Sequence, residues 1–571
     1  MLRRRPWLLS FALFAAAALL AAPWGNFPVN DDWQYARTAK HFAETGHFVI
    51  DTEVAPALFG QSLLAFPVIR LFGFSHLALR LLTLLLGLLL LWCTDALLAA
   101  ASATARARLC AGATLALNPL AFYLHTTFMT EAYGLAPTLV AAVLWLRCRR
   151  TAWLALLVGA LCAFGFWTRQ YSVVALPALA VASLVRGHRE GRPFRETVLE
   201  LLPALAAGGA LLAAWFPWVH WTGNYRPEFA SPLSQLTRFS PQVWLLMGGI
   251  AAVYLTAFLA PLLLQLAWPR AQARALAILS LALLALGYAA KTLAEWLGST
   301  PDGARSFLHS AFPYLGNIVR NAGLGPLTFP DIYQLNQPSP LRWPAFAWVA
   351  VESCILVALA LWSPLFLAAR RLSGKALEVA VFGLLLSGLQ LILAVQAYQL
   401  ELFDRYLYPC LFGAILVAGV CISAPAPRPL RVLSPVLLAL LGAFSVAAVH
   451  DEFAWMSARW RLVEEAHASG IPPENLQAGY EPDGWFHYDR YRERMAPRGC
   501  IGTCGCALLS WYCQDDSYRI GMAPLADTAK VTSVLAATWL TPPWPIALTR
   551  RVRALRPGDL PPAGAARPGD E

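Results

Sequence analysis

The sequence predicts a polytopic α-helical membrane protein of about thirteen transmembrane helices, with outer-face juxtamembrane helices and a small C-terminal extracytoplasmic domain. Three observations predict it. Of the 571 residues, 58% are apolar and only 13% are charged, about half the ~25% charged residues of a soluble domain. Apolar runs of roughly 20 residues, enough to cross about 30 Å of hydrocarbon, recur from Trp7 to His450. The basic residues fall in alternate loops between those runs.

The candidate spans are 7–24, 76–100, 109–125, 132–147, 152–168, 171–185, 199–221, 242–267, 275–297, 346–369, 376–398, 407–424 and 432–450. The start, Arg3-Arg4-Arg5 followed by Trp7 to Ala22, has the form of a signal peptide or of an uncleaved first span. The uncleaved span is preferred, because many spans follow and Pro23-Trp24 is a poor start after cleavage. Either reading puts Asp31 and Asp32 outside the cytoplasm.

With the N-terminus cytoplasmic and sides alternating, the inner loops carry Arg3 to Arg5, Arg106 and Arg108, Arg147, Arg149 and Arg150, Arg186, Arg189, Arg192 and Arg195, Arg270 and Arg274, Arg370, Arg371 and Lys375, and Arg428 and Arg431. Against them stand Glu190 and Glu196. Every inner loop obeys the positive-inside rule. The net charge of +11 is therefore a topological signal, which excludes nucleic acid as its explanation and leaves membrane lipids as the natural contact. The outer loops 25–75, 222–241 and 298–345 are longer and rich in Trp, Tyr, Pro and Asn, so chemistry is expected on that face.

The organisation expected is a transmembrane domain over 1–450, an extracytoplasmic domain over 451–556 and a disordered Pro/Gly/Ala-rich tail over 557–571. In the first outer loop, Asp32 to Thr45 reads as a helix and Pro56 to Leu71 as a second, interfacial one. Ala454 to Ser469 reads as an amphipathic helix ended by Gly470 and Pro472-Pro473. Cys500, Cys504, Cys506 and Cys513 are expected to form structural disulfides, the zinc alternative lacking paired C-x2-C knuckles. The other cysteines lie in or near spans and read as packing residues.

Several constellations could carry chemistry. Asp31-Asp32 at the mouth of the first span offers a carboxylate base, with neighbouring acids raising each other's pKa; the bland alternative is a helix cap, which needs only one acid. Glu131, in Phe128-Met129-Thr130-Glu131, is a membrane-edge acid. Arg169, in Trp167-Thr168-Arg169-Gln170-Tyr171, suits a phosphate, or else snorkels to headgroups. Arg405, in Asp404-Arg405-Tyr406-Leu407-Tyr408-Pro409, is a second phosphate candidate, or else pairs with Asp404. Lys291 and Glu295 read as a structural i,i+4 pair. The histidines show no metal-ligand spacing, so no cofactor is assigned and a divalent metal stays open. There is no Walker A or dinucleotide fingerprint. A sugar donor used outside the cytoplasm would be membrane-delivered, on a polyprenyl phosphate.

These stretches, in this order, resemble the GT-C membrane glycosyltransferases, in particular the bacterial group related to protein O-mannosyltransferases and the lipid A aminoarabinose transferase. Asp31-Asp32-Trp33-Gln34-Tyr35 resembles that group's first-loop acid motif. Phe128-Met129-Thr130-Glu131, Thr168-Arg169-Gln170 and Asp404-Arg405-Tyr406-Leu407-Tyr408-Pro409 resemble later outer-face motifs, and Gly479-Tyr480-Glu481-Pro482-Asp483-Gly484-Trp485 is similar to a tail segment. The resemblance implies a GT-C fold in a bacterial inner membrane, with the active site and C-terminal domain periplasmic. It further implies inverting transfer from a polyprenyl-phosphate sugar to a glycan, lipid or protein acceptor. By the same resemblance Asp31 is the base, Asp32 and Glu131 shape the site, Arg169 and Arg405 hold the donor phosphate, and Tyr35 positions a substrate. The aminoarabinose relatives place a Lys before a Pro-Pro-Leu run; here Glu53-Val54-Ala55-Pro56-Ala57-Leu58 has none. The alternatives are a flippase or exporter of a lipid-linked glycan and a non-catalytic scaffold with a binding tail. Charges in the spans, Asp95, Lys291 and Glu295, lie near ends, which weighs against a conduction path.

Overall fold

The computed structural model describes residues 5–50, 54, 57–224, 241–267, 318–319, 362–398, 402–423, 426–495, 517–522, 528–540 and 542–552, with six further positions between 274 and 285. The four expected disulfide cysteines, the Lys291–Glu295 pair, the candidate loop 298–345 apart from Ile318 and Val319, and the tail 557–571 lie outside the described residues.

The described helices, numbered in chain order, are α1 (Trp7–Ala21), α2 (Asp32–Thr45), α3 (Phe59–Phe72), α4 (His76–Ala100), α5 (Ala105–Ala116), α6 (Pro119–His125), α7 (Thr130–Arg147), α8 (Ala152–Phe166), α9 (Ala175–Arg189), α10 (Phe194–Trp221), α11 (Pro241–Leu263), α12 (Trp362–Ala369), α13 (Gly374–Tyr398), α14 (Tyr408–Cys421), α15 (Arg428–Ala468) and α16 (Tyr480–Met495). Short 3-10 turns at Gln170–Val174 and Asp404–Leu407 lead into α9 and α14. Among the described residues six helical stretches are long and apolar enough to cross a membrane, and α6 with α7 makes a seventh if that bent pair is one span.

The expected span 109–125 is broken. Asn118 caps α6 through Leu120 and Ala121, and Pro119 follows at the first helical turn, so α5 stops at 12 residues, about 18 Å at 1.5 Å per residue. The chain then turns by 99° between α6 and α7, and Glu131 stands in the first turn of α7, just after the bend. The expected span 432–450 and the amphipathic helix after it are one 41-residue helix, α15, which runs without a break across the expected boundary at 450. At the centre stands the apolar stretch Asp404–Cys421, wholly buried and packed by α4, α5, α11 and α13.

The C-terminal segment adds a four-stranded sheet of order β1-β2-β4-β3, from β1 (Leu476–Gln477), β2 (Tyr518–Gly521), β3 (Thr528–Ala536) and β4 (Trp544–Arg551). β1 pairs with β2 in parallel; β2 and β3 flank β4 antiparallel, with a register shift between Lys530 and Thr532. The sheet packs on α15, where Asp451 accepts the backbone amides of Trp539 and Leu540 at 2.6 and 2.9 Å.

Two buried charges inside expected spans, Arg80 and Glu378, are satisfied internally. Arg80 in α4 is buried and donates to the carbonyls of Pro23, Gly25 and Phe27 at 3.1, 2.8 and 2.8 Å. Glu378 in α13 accepts from Arg150 and Arg186 at 2.8 Å each and from Ser183 at 2.7 Å. Asp95 pairs with Arg108 across α4 and α5. Of the cysteines read as packing residues, Cys148 is exposed.

The Glu378 cluster ties the α8–α9 region to α13. Removing one partner of a buried ion pair leaves the others uncompensated, at a cost of about 3–5 kcal/mol. Glu378→Ala is therefore expected to lower the thermal midpoint of the detergent-solubilised protein clearly, whereas Glu465→Ala, on an exposed i,i+4 pair with Arg461, is expected to leave it within about 1 kcal/mol. Equal midpoints for the two variants would show that the cluster does not hold these helices.

Candidate functional site

α7 begins at Thr130-Glu131 and ends at Arg147; α9 follows Arg169 and the 3-10 turn after it and ends at Arg186 to Arg189; α13 carries Glu378 in its first turns and leads toward Arg405. The two ends of the bundle therefore differ. One carries the arginine-rich loops. The other, about 27 Å away along the 18 residues of α7, gathers Asp31, Tyr35, Glu131, Arg169 and Arg405.

The turn that presents Asp31 is built locally. Asn30 takes a left-handed conformation, φ 57°, which Asn tolerates better than most residues, and its side chain accepts the Asp31 amide at 2.8 Å. Arg80 holds the preceding backbone from Pro23 to Phe27. Asp31 precedes α2 yet makes no side-chain cap bond to it. Its carboxylate turns away: Oδ2 accepts Arg405 Nη1 at 2.6 Å and Oδ1 accepts the Tyr480 hydroxyl at 2.9 Å.

Asp32 has a different office. Its Oδ1 accepts the Val29 amide at 2.5 Å and its Oδ2 the Phe128 amide at 3.4 Å, so it fastens the first loop to the α6–α7 bend. Burial pushes its carboxyl well above the ordinary range, opposed by Arg80 and by those two amides. The expected tuning of one carboxylate by its neighbour is thus replaced at Asp32 by burial as the main cause. Burial first, and then Asp31, also push the Tyr35 phenol upward, so it stays a neutral hydroxyl at physiological pH.

Glu131 has a side chain of 0% exposure, and among the described residues neither of its oxygens has a hydrogen-bond partner. It lies 3.4 Å from Arg169 Nη2 and 4.0 Å from Arg405 Nε, longer than the ~2.7–2.9 Å of a charge-assisted hydrogen bond. The two guanidinium groups share the ring of Tyr406, each 5.5 Å from its centroid, and Arg169 also lies over Tyr171 at 5.4 Å. Cation–π contact of this kind holds a guanidinium without consuming its N–H donors. The arrangement is two buried arginines with donor capacity in reserve, braced by one buried acid and by Asp31.

Asp404, expected as an alternative partner for Arg405, faces elsewhere: it accepts the Tyr254 hydroxyl at 2.7 Å and the amides of Ile318 and Val319 at 2.9 and 2.7 Å. It anchors the turn that projects Arg405. Among the described residues no three His, Cys, Asp or Glu side chains converge as a metal site.

Three contributors escaped the sequence reading. Arg80 gave a signal, a lone cation one turn inside an apolar span. Tyr480 and Glu481 lay in a stretch singled out only by resemblance. Glu481 accepts Arg459 at 2.5 Å and the Asn30 amide at 3.0 Å, the latter between positions 451 residues apart, which no local pattern announces.

No family model matches the chain, and no curated protein does. Among solved structures, the chain is similar to ArnT from Cupriavidus metallidurans in the apo state, at 12% identity and a TM-score of 0.44, over 94% of this chain and 97% of that one. It is likewise similar to the same protein bound to undecaprenyl phosphate, at 13% identity and a TM-score of 0.46, over 95% and 98%. At such values the site is read from its own residues.

Proposed function

We propose that this protein transfers a sugar from a polyprenyl-phosphate donor to an acceptor on the extracytoplasmic face of a bacterial inner membrane, with inversion at the sugar carbon. The observation that carries the reading is the ion pair of Asp31 with Arg405, set beside Arg169 and the buried Glu131 at the bundle end opposite the arginine-rich loops. Those loops face the cytoplasm by the positive-inside rule. Nucleotide sugars are cytoplasmic, so the donor on the other face is lipid-linked.

In the proposed reaction Arg169 and Arg405 bind the donor phosphodiester. Asp31 takes the proton of the acceptor hydroxyl, and that oxygen bonds to the sugar carbon as the carbon–oxygen bond to phosphate breaks. The electron pair leaves with the polyprenyl phosphate, whose added negative charge the arginines stabilise. One proton arrives on Asp31 as one negative charge appears on the phosphate, so the net charge of the site is unchanged through the step. Asp32 and Tyr35 hold the loop and the substrate in place.

The purified protein in proteoliposomes is expected to remove 14C-sugar from undecaprenyl phosphates carrying hexoses or pentoses when native envelope extract supplies the acceptor. Donor that stays intact across the panel would refute the reading. Label that moves across the bilayer while still on its lipid would indicate a flippase instead.

A further inference from the structure

We infer that Tyr480 and Gln34 form the acceptor subsite, and that this subsite takes a neutral alcohol rather than a phosphate group. The inference rests on the glycosyl transfer proposed above and goes further in naming the acceptor chemistry.

The two oxygens of Asp31 face different partners. Oδ2 meets Arg405, the group assigned to the donor phosphate. In an inverting displacement the nucleophile approaches opposite the leaving phosphate, so the proton is taken by the oxygen that points away from the arginine. That oxygen is Oδ1, and Tyr480 donates to it at 2.9 Å. Gln34 Nε2 in turn donates to the Tyr480 hydroxyl at 2.8 Å. The phenol thus holds the lone-pair side of Asp31 that an acceptor hydroxyl would use.

Tyr480 is fixed for this task. Gly479, φ 96°, supplies the turn before α16, a conformation costly for a residue with a Cβ. The Tyr480 ring lies 5.9 Å from that of Trp33, edge to face. At Gly484 the helix passes so close to Trp33 that a Cβ would come within 2.5 Å of the indole. Glu481 clamps the Asn30 amide, and Trp485 stacks on Phe74 at 5.6 Å. The C-terminal segment therefore grips the whole turn that carries Asp31.

The electrostatics select the acceptor. Two cations on this side are matched by acids, Arg459 by Glu481 and Arg37 by Asp489, and Lys40 lies over the rings of Phe74 and Trp485. An incoming phosphate would bring its own negative charge against the Asp31 carboxylate, and like charges at close quarters are strongly disfavoured. A hydroxyl meets a carboxylate that accepts and a phenol that can donate or accept.

The test uses full-length protein in native membrane vesicles given undecaprenyl-phosphate 14C-sugars. Mild acid cleaves a sugar from phosphate but spares an ordinary glycoside. Label in the product is expected to survive mild acid, and Tyr480→Phe, which keeps the ring packing, is expected to lower transfer about 10–100-fold. The same variant, purified, should bind undecaprenyl phosphate within about twofold of wild type and stay folded, with a modestly lower melting temperature because the buried Gln34 amide loses its acceptor. Acid-labile product would overturn the inference, as would a Tyr480→Phe enzyme with unchanged transfer or with lipid binding weakened in proportion. Failure of the wild-type protein to move label at all would instead sink the underlying transfer reaction.

Discussion

Asp31→Asn is expected to lower sugar transfer by about 10²–10⁴-fold, the span that general-base catalysis typically contributes. The substitution is nearly isosteric, and its amide oxygen can still accept from Tyr480. It removes the charge that pairs with Arg405, so undecaprenyl phosphate should bind at least as well as before, because the guanidinium loses a competing partner. Asp31 retains 15% side-chain exposure, and the fold should tolerate the change. Asp32→Asn should behave in the opposite manner. That side chain receives two backbone amides deep in the structure, and an amide nitrogen placed against an N–H would leave a buried donor unsatisfied, costing about 1–3 kcal/mol. Thermal midpoint should therefore fall most at position 32 and turnover most at position 31. A normal rate in Asp31→Asn would end the assignment of Asp31 as base. Loss of turnover at both positions, with unchanged midpoints, would show that the pair acts jointly.

The contrast between these adjacent acids also shows where the sequence was legible. Helix α2 was expected over Asp32 to Thr45 and lies there, because its Ala-rich face and the closing Gly46 are local signals. The second helix, expected over Pro56 to Leu71, lies at Phe59–Phe72. The polar residues that interrupt apolar runs pointed to the bundle end where the site residues meet. What the sequence did not disclose is pairing. Nothing in Arg405 says that its partner is Asp31 rather than Asp404 next door, because that choice depends on Ile318, Val319 and Tyr254 already occupying Asp404. The break at Asn118-Pro119 was legible as a cap followed by a proline, but hydropathy ran across it. The boundary drawn at 450 followed the change in polarity, whereas α15 continues through it because a helix needs no apolar surroundings once its polar face meets the sheet and α16.

Arg405→Ala should have two separable effects, on stability and on lipid binding. The guanidinium compensates Asp31 and the fully buried Glu131, so its loss leaves acids uncompensated and should cost about 3–5 kcal/mol. It also removes the proposed phosphate contact, of a kind worth about 10²–10³ in rate where charge develops. Either effect alone would lower activity, and single-variant kinetics cannot distinguish them. The pair of variants Arg405→Ala and Arg405→Ala/Glu131→Gln can. Neutralising Glu131 removes part of the uncompensated charge, so the double variant should regain much of the lost thermal midpoint, a non-additivity expected of residues that share one network. It should regain none of the affinity for undecaprenyl phosphate. Arg405→Lys supplies the intermediate case, because it keeps the charge while losing the planar fork that meets a phosphate at two points; it should be nearly as stable as wild type yet bind the lipid more weakly. If the double variant recovers lipid binding together with stability, Arg405 is a structural brace for the acids, and the donor phosphate must be held by Arg169 or by another group.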